Sequence, residues 1–131
     1  MTPFPYSIAP SASIEDAQAM MATHDIRHLP VCDSHVVIGM LSERDVRVAR
    51  GLRPADTSLT VAQVCINDPL LVDLERPLDS VAEEMAARRV GAAIVMRGDK
   101  LAGILTTTDI CRLLAASLRD DDYSDDDDDA A

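Results

Sequence analysis

The chain has 131 residues, a formal charge of −11, two tyrosines, one phenylalanine and no tryptophan. That length holds one compact domain, or two small halves sharing a core, and the core must be aliphatic. With 23 acidic residues against 12 Lys and Arg, the charge balance argues against sequence-independent binding to nucleic acid, which needs cations against phosphates. No apolar run approaches the roughly 18 residues of a membrane span, and Met1-Thr2-Pro3-Phe4-Pro5 lacks the basic and apolar regions of a secretory signal. The sequence therefore reads as a soluble, cytoplasmic protein.

In chain order, Tyr6 to Pro10 is a short extended run, after which Ser11 or Ser13 can cap a helix. Ile14, Ala17, Gln18, Met21 and Ala22 fall on one face of that helix, which ends near Asp25. Leu29 to Cys32 and Val36 to Leu41 flank Asp33-Ser34 as a β-hairpin. A helix marked by Asp45, Val46 and Val48 follows, then a linker from Gly51 to Thr60 and a short helical lead-in from Val61 to Ile66. The pattern then recurs: an extended run from Leu70 to Leu74, a helix after Pro77 with Leu78, Val81, Ala82, Met85 and Ala86 on one face, and a hairpin of Ala92 to Met96 and Leu101 to Leu105 around Arg97-Gly98-Asp99. A closing helix carries Asp109, Ile110, Leu113, Leu114 and Leu118. Eight aspartates crowd into residues 120–131, a self-repelling block expected to stay solvated and disordered.

The recurrence is in register at a spacing of 64 residues. Met21 matches Met85, Ala22 matches Ala86, Val31 matches Val95 and Leu41 matches Leu105, with class matches such as Ile8 and Val72 between them. Gly39-Met40-Leu41-Ser42-Glu43-Arg44-Asp45 is echoed by Gly103-Ile104-Leu105-Thr106-Thr107-Thr108-Asp109. Such self-similarity marks duplication, and one copy of about 45 residues buries too little surface to be stable alone.

The hydroxyl-x-x-acid spacing of Ser42/Asp45 and Thr106/Asp109 fits a helix capping box. The same atoms fit a ligand. Amides and the positive end at a helix start attract phosphate, a carboxylate can accept both vicinal hydroxyls of a ribose, and the preceding glycine lets a ligand approach the backbone. Neither reading excludes the other at this stage.

Two copies of strand, helix, hairpin and helix, each with a Gly-apolar-apolar-Ser/Thr-x-x-Asp joint, resemble a CBS-domain pair, the tandem called a Bateman module, over about Tyr6 to Ser117. The resemblance implies an α+β fold of two β-α-β-β-α copies related by pseudo-twofold symmetry and packed through their sheets. The first copy occupies residues 1–52, the linker and lead-in helix 53–69, the second copy 70–119 and the tail 120–131. It also implies adenosine nucleotides such as AMP, ADP or ATP as regulatory ligands, with no required cofactor, held in two clefts between the copies. The first cleft would place Asp45 on the ribose, Ser42 and Arg44 near phosphate, Met40 against the base, and Arg27 and His28 at the hairpin entry, completed by Leu70, Val90 and Gly91. The second would use Asp109, Thr106, Thr108 and Ile104, completed by Tyr6, Ile26 and Arg27.

The clefts are expected to differ, because Arg27 and His28 correspond to Gly91 and Ala92, and Arg44 to Thr108. Charge-assisted bonds to phosphate then favour the first. Cys32, Cys65 and Cys111 have neither disulfide nor metal-ligand spacing and read as buried free thiols. His24, His28 and Cys32 lose helical spacing where the helix ends, which leaves them structural or surface roles. Glu15, Glu43, Glu83 and Glu84 read as solvated charge, and no nucleophile elbow, P-loop or HExxH is present. The expectation is a non-enzymatic regulatory module signalling to an unidentified partner protein, binding neither nucleic acid nor membrane, and pairing into a homodimer through helices around Met20, Met21 and Met85. The competing expectation is an interaction or stress-response protein with empty or metal-binding clefts and an acidic tail that engages a partner.

Overall fold

A computed structural model describes the backbone of Thr2–Pro3 and of residues 6–130, with side chains described for residues 6–120. The elements run β1 (Thr2–Pro3), α1 (Ile14–His24), β2 (His28–Asp33), β3 (Val36–Ser42), α2 (Glu43–Leu52), α3 (Val61–Val64), β4 (Leu71–Asp73), α4 (Leu78–Arg88), β5 (Ala92–Arg97), β6 (Lys100–Thr106) and α5 (Thr107–Ala130). This is the mixed helix and strand fold with two copies that the repeat requires. The helix that the sequence reading marked as far as Leu118 continues through the backbone to Ala130.

The 64-residue register is kept in hydrogen bonds. β2 pairs with β3 and β5 with β6, with bulges at the equivalent steps Val31/Cys32 and Val95/Met96. β4 pairs parallel to β5 at Val72 and Val95. In the first copy the same parallel contact shrinks to one bridge between Ile8 and Val31. The lead-ins cross between copies. Ile66 bridges Met40 of the first copy through two bonds of 2.9 Å, and Thr2, 64 residues earlier, pairs with Ile104 of the second. The four-stranded order β1-β6-β5-β4 is thus matched in the first copy by Ile66, β3, β2 and Ile8.

Alternation sorts each strand between two layers. Ala93 and Val95 face α4 with Val81 and Met85, while Ala92 and Ile94 meet Met40 and Ile104 between the two hairpins. β5 is covered on both faces, so it reads as a continuous apolar run. Ile14, Ala17, Met21, Leu29, Val31, Leu41 and Val46 build the first copy's own core. Met21 and Met85 are only 4% and 3% exposed; they cannot supply the dimer surface expected of them, because their helix faces are already spent on the sheets. Leu113, Leu114 and Leu118 of α5 are instead 47%, 58% and 55% exposed. The cysteines also differ from expectation: Cys32 and Cys65 are half-buried and Cys111 is exposed, since each sits at a layer edge or on an outer helix.

Gly39 owes its place to this crossing and not to a ligand. A Cβ there would lie 2.6 Å from the Ile66 carbonyl oxygen and 3.1 Å from Cys65 Sγ. Gly39→Ala should therefore destabilise the chain by about 1–3 kcal/mol. Gly51→Ala, within α2 and meeting nothing within 4 Å, should stabilise it by about 0.5–1 kcal/mol. Chemical denaturation of both variants checks the pair, and equal effects would contradict the crossing.

Candidate functional site

Each hairpin delivers its last residue, still extended, to the start of a helix. Ser42 Oγ accepts the Asp45 N–H at 3.0 Å, and Asp45 Oδ2 accepts the Ser42 N–H at 3.1 Å. At the second joint Thr106 Oγ1 accepts the Asp109 N–H at 3.2 Å, and Asp109 Oδ2 accepts both the Thr106 N–H and its hydroxyl at 2.9 Å. Both capping boxes are therefore formed. Capping does not use up a carboxylate, whose two oxygens offer about four lone-pair positions, so the cap fixes the rotamer of a group that can still accept from a ligand.

A second pair of equivalent bonds ties these helix starts to the hairpin entries: the Glu43 N–H donates to the Arg27 carbonyl and the Thr107 N–H to the Gly91 carbonyl, each at 2.9 Å. The two joints thereby open onto two clefts. Arg27, His28, Met40, Ser42, Arg44 and Asp45 share the wall of the first, of about 500 Å³, with Leu70, Val90 and Gly91. Tyr6, Ile26, Arg27, Ile104, Thr106, Thr108 and Asp109 share the second, of about 350 Å³. Both volumes lie in the range of small-molecule pockets.

Sequence reasoning missed several wall residues. Arg47, Ile66, Asp68, Pro69, Arg89 and Ala92 also line the first cleft, and Asp25, His28 and Arg112 the second. Arg89 and Asp25 sit one residue before the aligned Val90 and Ile26, so the register alone carried a signal for them. Arg112 follows Asp109 by one helical turn, a spacing that brings it to the same face.

Charge on the walls is partly neutralised. Glu43 lies 3.8 Å from Arg27 and 2.8 Å from Arg47, and Asp68 lies 3.6 Å from Arg88. The acids read as solvated are in part otherwise engaged: Glu15 pairs with Arg50 to tie α1 to α2, and Glu84 with Arg76 and Arg88. His28 is held below its ordinary pKa chiefly by burial, with the Asp45 carboxylate pulling it up and the Arg27 guanidinium pushing it down. Tyr6 is fixed at the second cleft by stacking on His24, with ring centroids 3.6 Å apart. His24 is thus turned to Tyr6 and His28 to the clefts, and among the described residues no group of three His, Cys, Asp or Glu is placed to hold a metal ion.

Burial, the largest influence on Asp109, pushes its carboxyl up, but the bonds from the Thr106 amide and hydroxyl and the charge of Arg112 outweigh it and leave the pKa below the usual value. A folded-state pKa below the unfolded one means stability that is whole above about pH 4 and lost as pH falls through the folded value. Asp109→Ala should cost about 1 kcal/mol at pH 7. In melting curves its deficit against the parent chain should narrow below about pH 4; a deficit that stays constant would show that the carboxylate is not what caps α5.

Comparison with known proteins gives the arrangement its context. The CBS domain pattern matches residues 1–51 and 61–116. Hypoxic response protein 1 from Mycobacterium tuberculosis is 31% identical over 102 residues, covering 75% of this chain and 70% of that one. A crystal structure of Hypoxic Response Protein I with two coordinated zinc ions matches with a TM-score of 0.72 and 25% identity, covering 86% of this chain and 92% of that one. The CBS domain pair of protein MJ0100, in complex with 5-methylthioadenosine and S-adenosyl-L-methionine, matches with a TM-score of 0.75 and 25% identity over 88% of this chain and 93% of that one. CBSX2 in complex with AMP matches with a TM-score of 0.72 and 25% identity over 91% and 94%. The chain spans 21% of the length of the L-aspartate semialdehyde sulfurtransferase of Methanocaldococcus jannaschii, to which it is 28% identical over 111 residues. Two matched segments, the reciprocal lead-ins and the paired joints agree, and the chain belongs to the CBS-domain family as a tandem pair.

Proposed function

We propose that this chain is a regulatory module that binds adenosine nucleotides in the two clefts and passes their occupancy to a partner protein. The observation that carries the reading is the pair of pre-set carboxylate and hydroxyl groups, one at each helix start, each beside an apolar wall from Met40 or Ile104. In the first cleft Asp45 would take the ribose hydroxyls, Arg44 and Ser42 the phosphate, and Met40 the base; Asp109, Thr106, Thr108 and Ile104 would serve the second. AMP, 5-methylthioadenosine and S-adenosyl-L-methionine in the structures of similar pairs support this ligand class. A non-enzymatic, cytoplasmic role fits, and no helix among the described residues is long and apolar enough to cross a membrane. Signalling further requires that the nucleotide bind two arrangements of the module unequally.

Calorimetric titration with AMP, ADP and ATP should show binding to the parent chain, with Asp45→Ala removing the affinity for phosphorylated ligands and Asp109→Ala leaving it. Loss on Asp109→Ala alone would reverse the assignment. Absence of binding and of any melting shift with AMP, ATP or S-adenosylmethionine would favour the rival, an interaction protein acting through its acidic tail. Zinc in a relative's structure gives the metal form of that rival weaker support, because no three-ligand group stands among the described residues here.

We also infer a homodimer built through α5 and not through the buried methionines. Leu113, Leu114 and Leu118 recur at i, i+1 and i+5 on an outer helix whose residues from Cys111 to Asp120 are all exposed, an apolar stripe that favours a partner surface. Light scattering should report a dimer for the parent chain and a monomer for Leu114→Asp. A chain ending at Arg119 should stay dimeric and melt unchanged if residues 120–131 are a solvated tail; a dimer that survives Leu114→Asp would remove α5 from the interface.

A further inference from the structure

Asp25 and Arg89 occupy the same place in the duplicated fold, 64 residues apart, and carry opposite charge. Asp25 ends α1 at φ 51° and ψ 48°, and Arg89 ends α4 at φ 56° and ψ 43°. Their N–H groups donate to the Ala22 and Ala86 carbonyls at 3.4 and 3.2 Å, and the next N–H groups, of Ile26 and Val90, to the Met21 and Met85 carbonyls at 3.0 and 3.1 Å. The turn closing each helix is the same left-handed motif, so both side chains leave the backbone in the same local direction. Arg89 lines the first cleft and Asp25 the second. Both residues are exposed, and neither forms an ion pair among the described residues.

Backbone preference accounts for one of them only. Aspartate is enriched in the left-handed region and arginine is not, so the turn by itself gives no reason for Arg89. The surrounding charges point the same way. Glu43 and Asp68 on the first cleft are engaged with arginines, which leaves Arg44 and Arg89 as unpaired cations there. The second cleft is the smaller and sets an unpaired carboxylate at Asp25 against Arg27, His28 and Arg112 on its wall.

We propose that these two positions select ligands by charge: Arg89 admits a di- or triphosphate chain to the first cleft, while Asp25 turns it away from the second and leaves that cleft to adenosine compounds that are neutral or cationic beyond the ribose. This deepens the nucleotide reading of the clefts and rests on it.

Arg89→Asp and Asp25→Arg test the proposal without threatening the fold, because each new residue is already native at the equivalent turn; melting temperatures near the parent value verify this. The probes are adenosine, AMP and ADP, titrated calorimetrically and fitted to two sites. Arg89→Asp should weaken ADP at its stronger site roughly five-fold or more, and Asp25→Arg should strengthen ADP at its weaker site by a similar factor. Both changes should leave adenosine unaffected and shrink as salt rises from about 0.05 M to about 0.5 M. Unaltered ADP affinity in both variants, with the parent still binding, overturns this inference alone. Equal changes for adenosine and ADP overturn it too, since the residues would then act through structure. A parent chain that takes up none of the three probes overturns the nucleotide reading and this inference with it.

Discussion

Two hydrogen bonds between the backbones of Met40 and Ile66 hold the segment before the second copy against the edge of the first. Without that bridge the lead-in would have no reason to pass Gly39 at a distance no Cβ tolerates, and the wall formed by Ile66, Asp68, Pro69 and Leu70 would not face Asp45. The equivalent pairing of Thr2 with Ile104 repeats the exchange in the other direction. Each copy therefore finishes the sheet of its neighbour. Neither is large enough to form a stable core by itself, and the layer of Met40, Ala92, Ile94 and Ile104 between the hairpins belongs to both.

The clefts inherit their order from the same geometry. A carboxylate on a free loop would lose rotamer entropy when it met a ligand; Asp45 and Asp109 have already lost it to their caps. The cap and the proposed ligand contact are consecutive uses of one side chain. Burial pushes the Asp109 carboxyl up, and the Thr106 bonds, which favour the ionised form, help bring it below its usual value.

Backbone symmetry coexists with chemical asymmetry. Arg27 and His28 line both clefts, whereas their counterparts Gly91 and Ala92 line only the first, so the first copy supplies an arginine and a histidine at the hairpin entry to both. The helices differ as well. Glu15 and Arg50 tie α1 to α2, while the matching positions in the second copy are Asp79 and Leu114, an acid and an exposed apolar residue that cannot pair. The side of the molecule lacking the internal tie is the side presenting an apolar stripe.

The sequence by itself determined the duplication, the helix faces, the hairpins and the two capping joints, because each rests on neighbours within a few residues or on a fixed repeat. The division of most cleft residues into two groups came from the resemblance to CBS-domain pairs, which implied two clefts between the copies. Only the tertiary structure decided which apolar faces were already covered: Met21 and Met85 went into the sheets and Leu114 stayed outside. It alone also brought Ile66 to Gly39, because a residue's periodicity names the face it lies on while the partner of that face comes from a distant part of the chain.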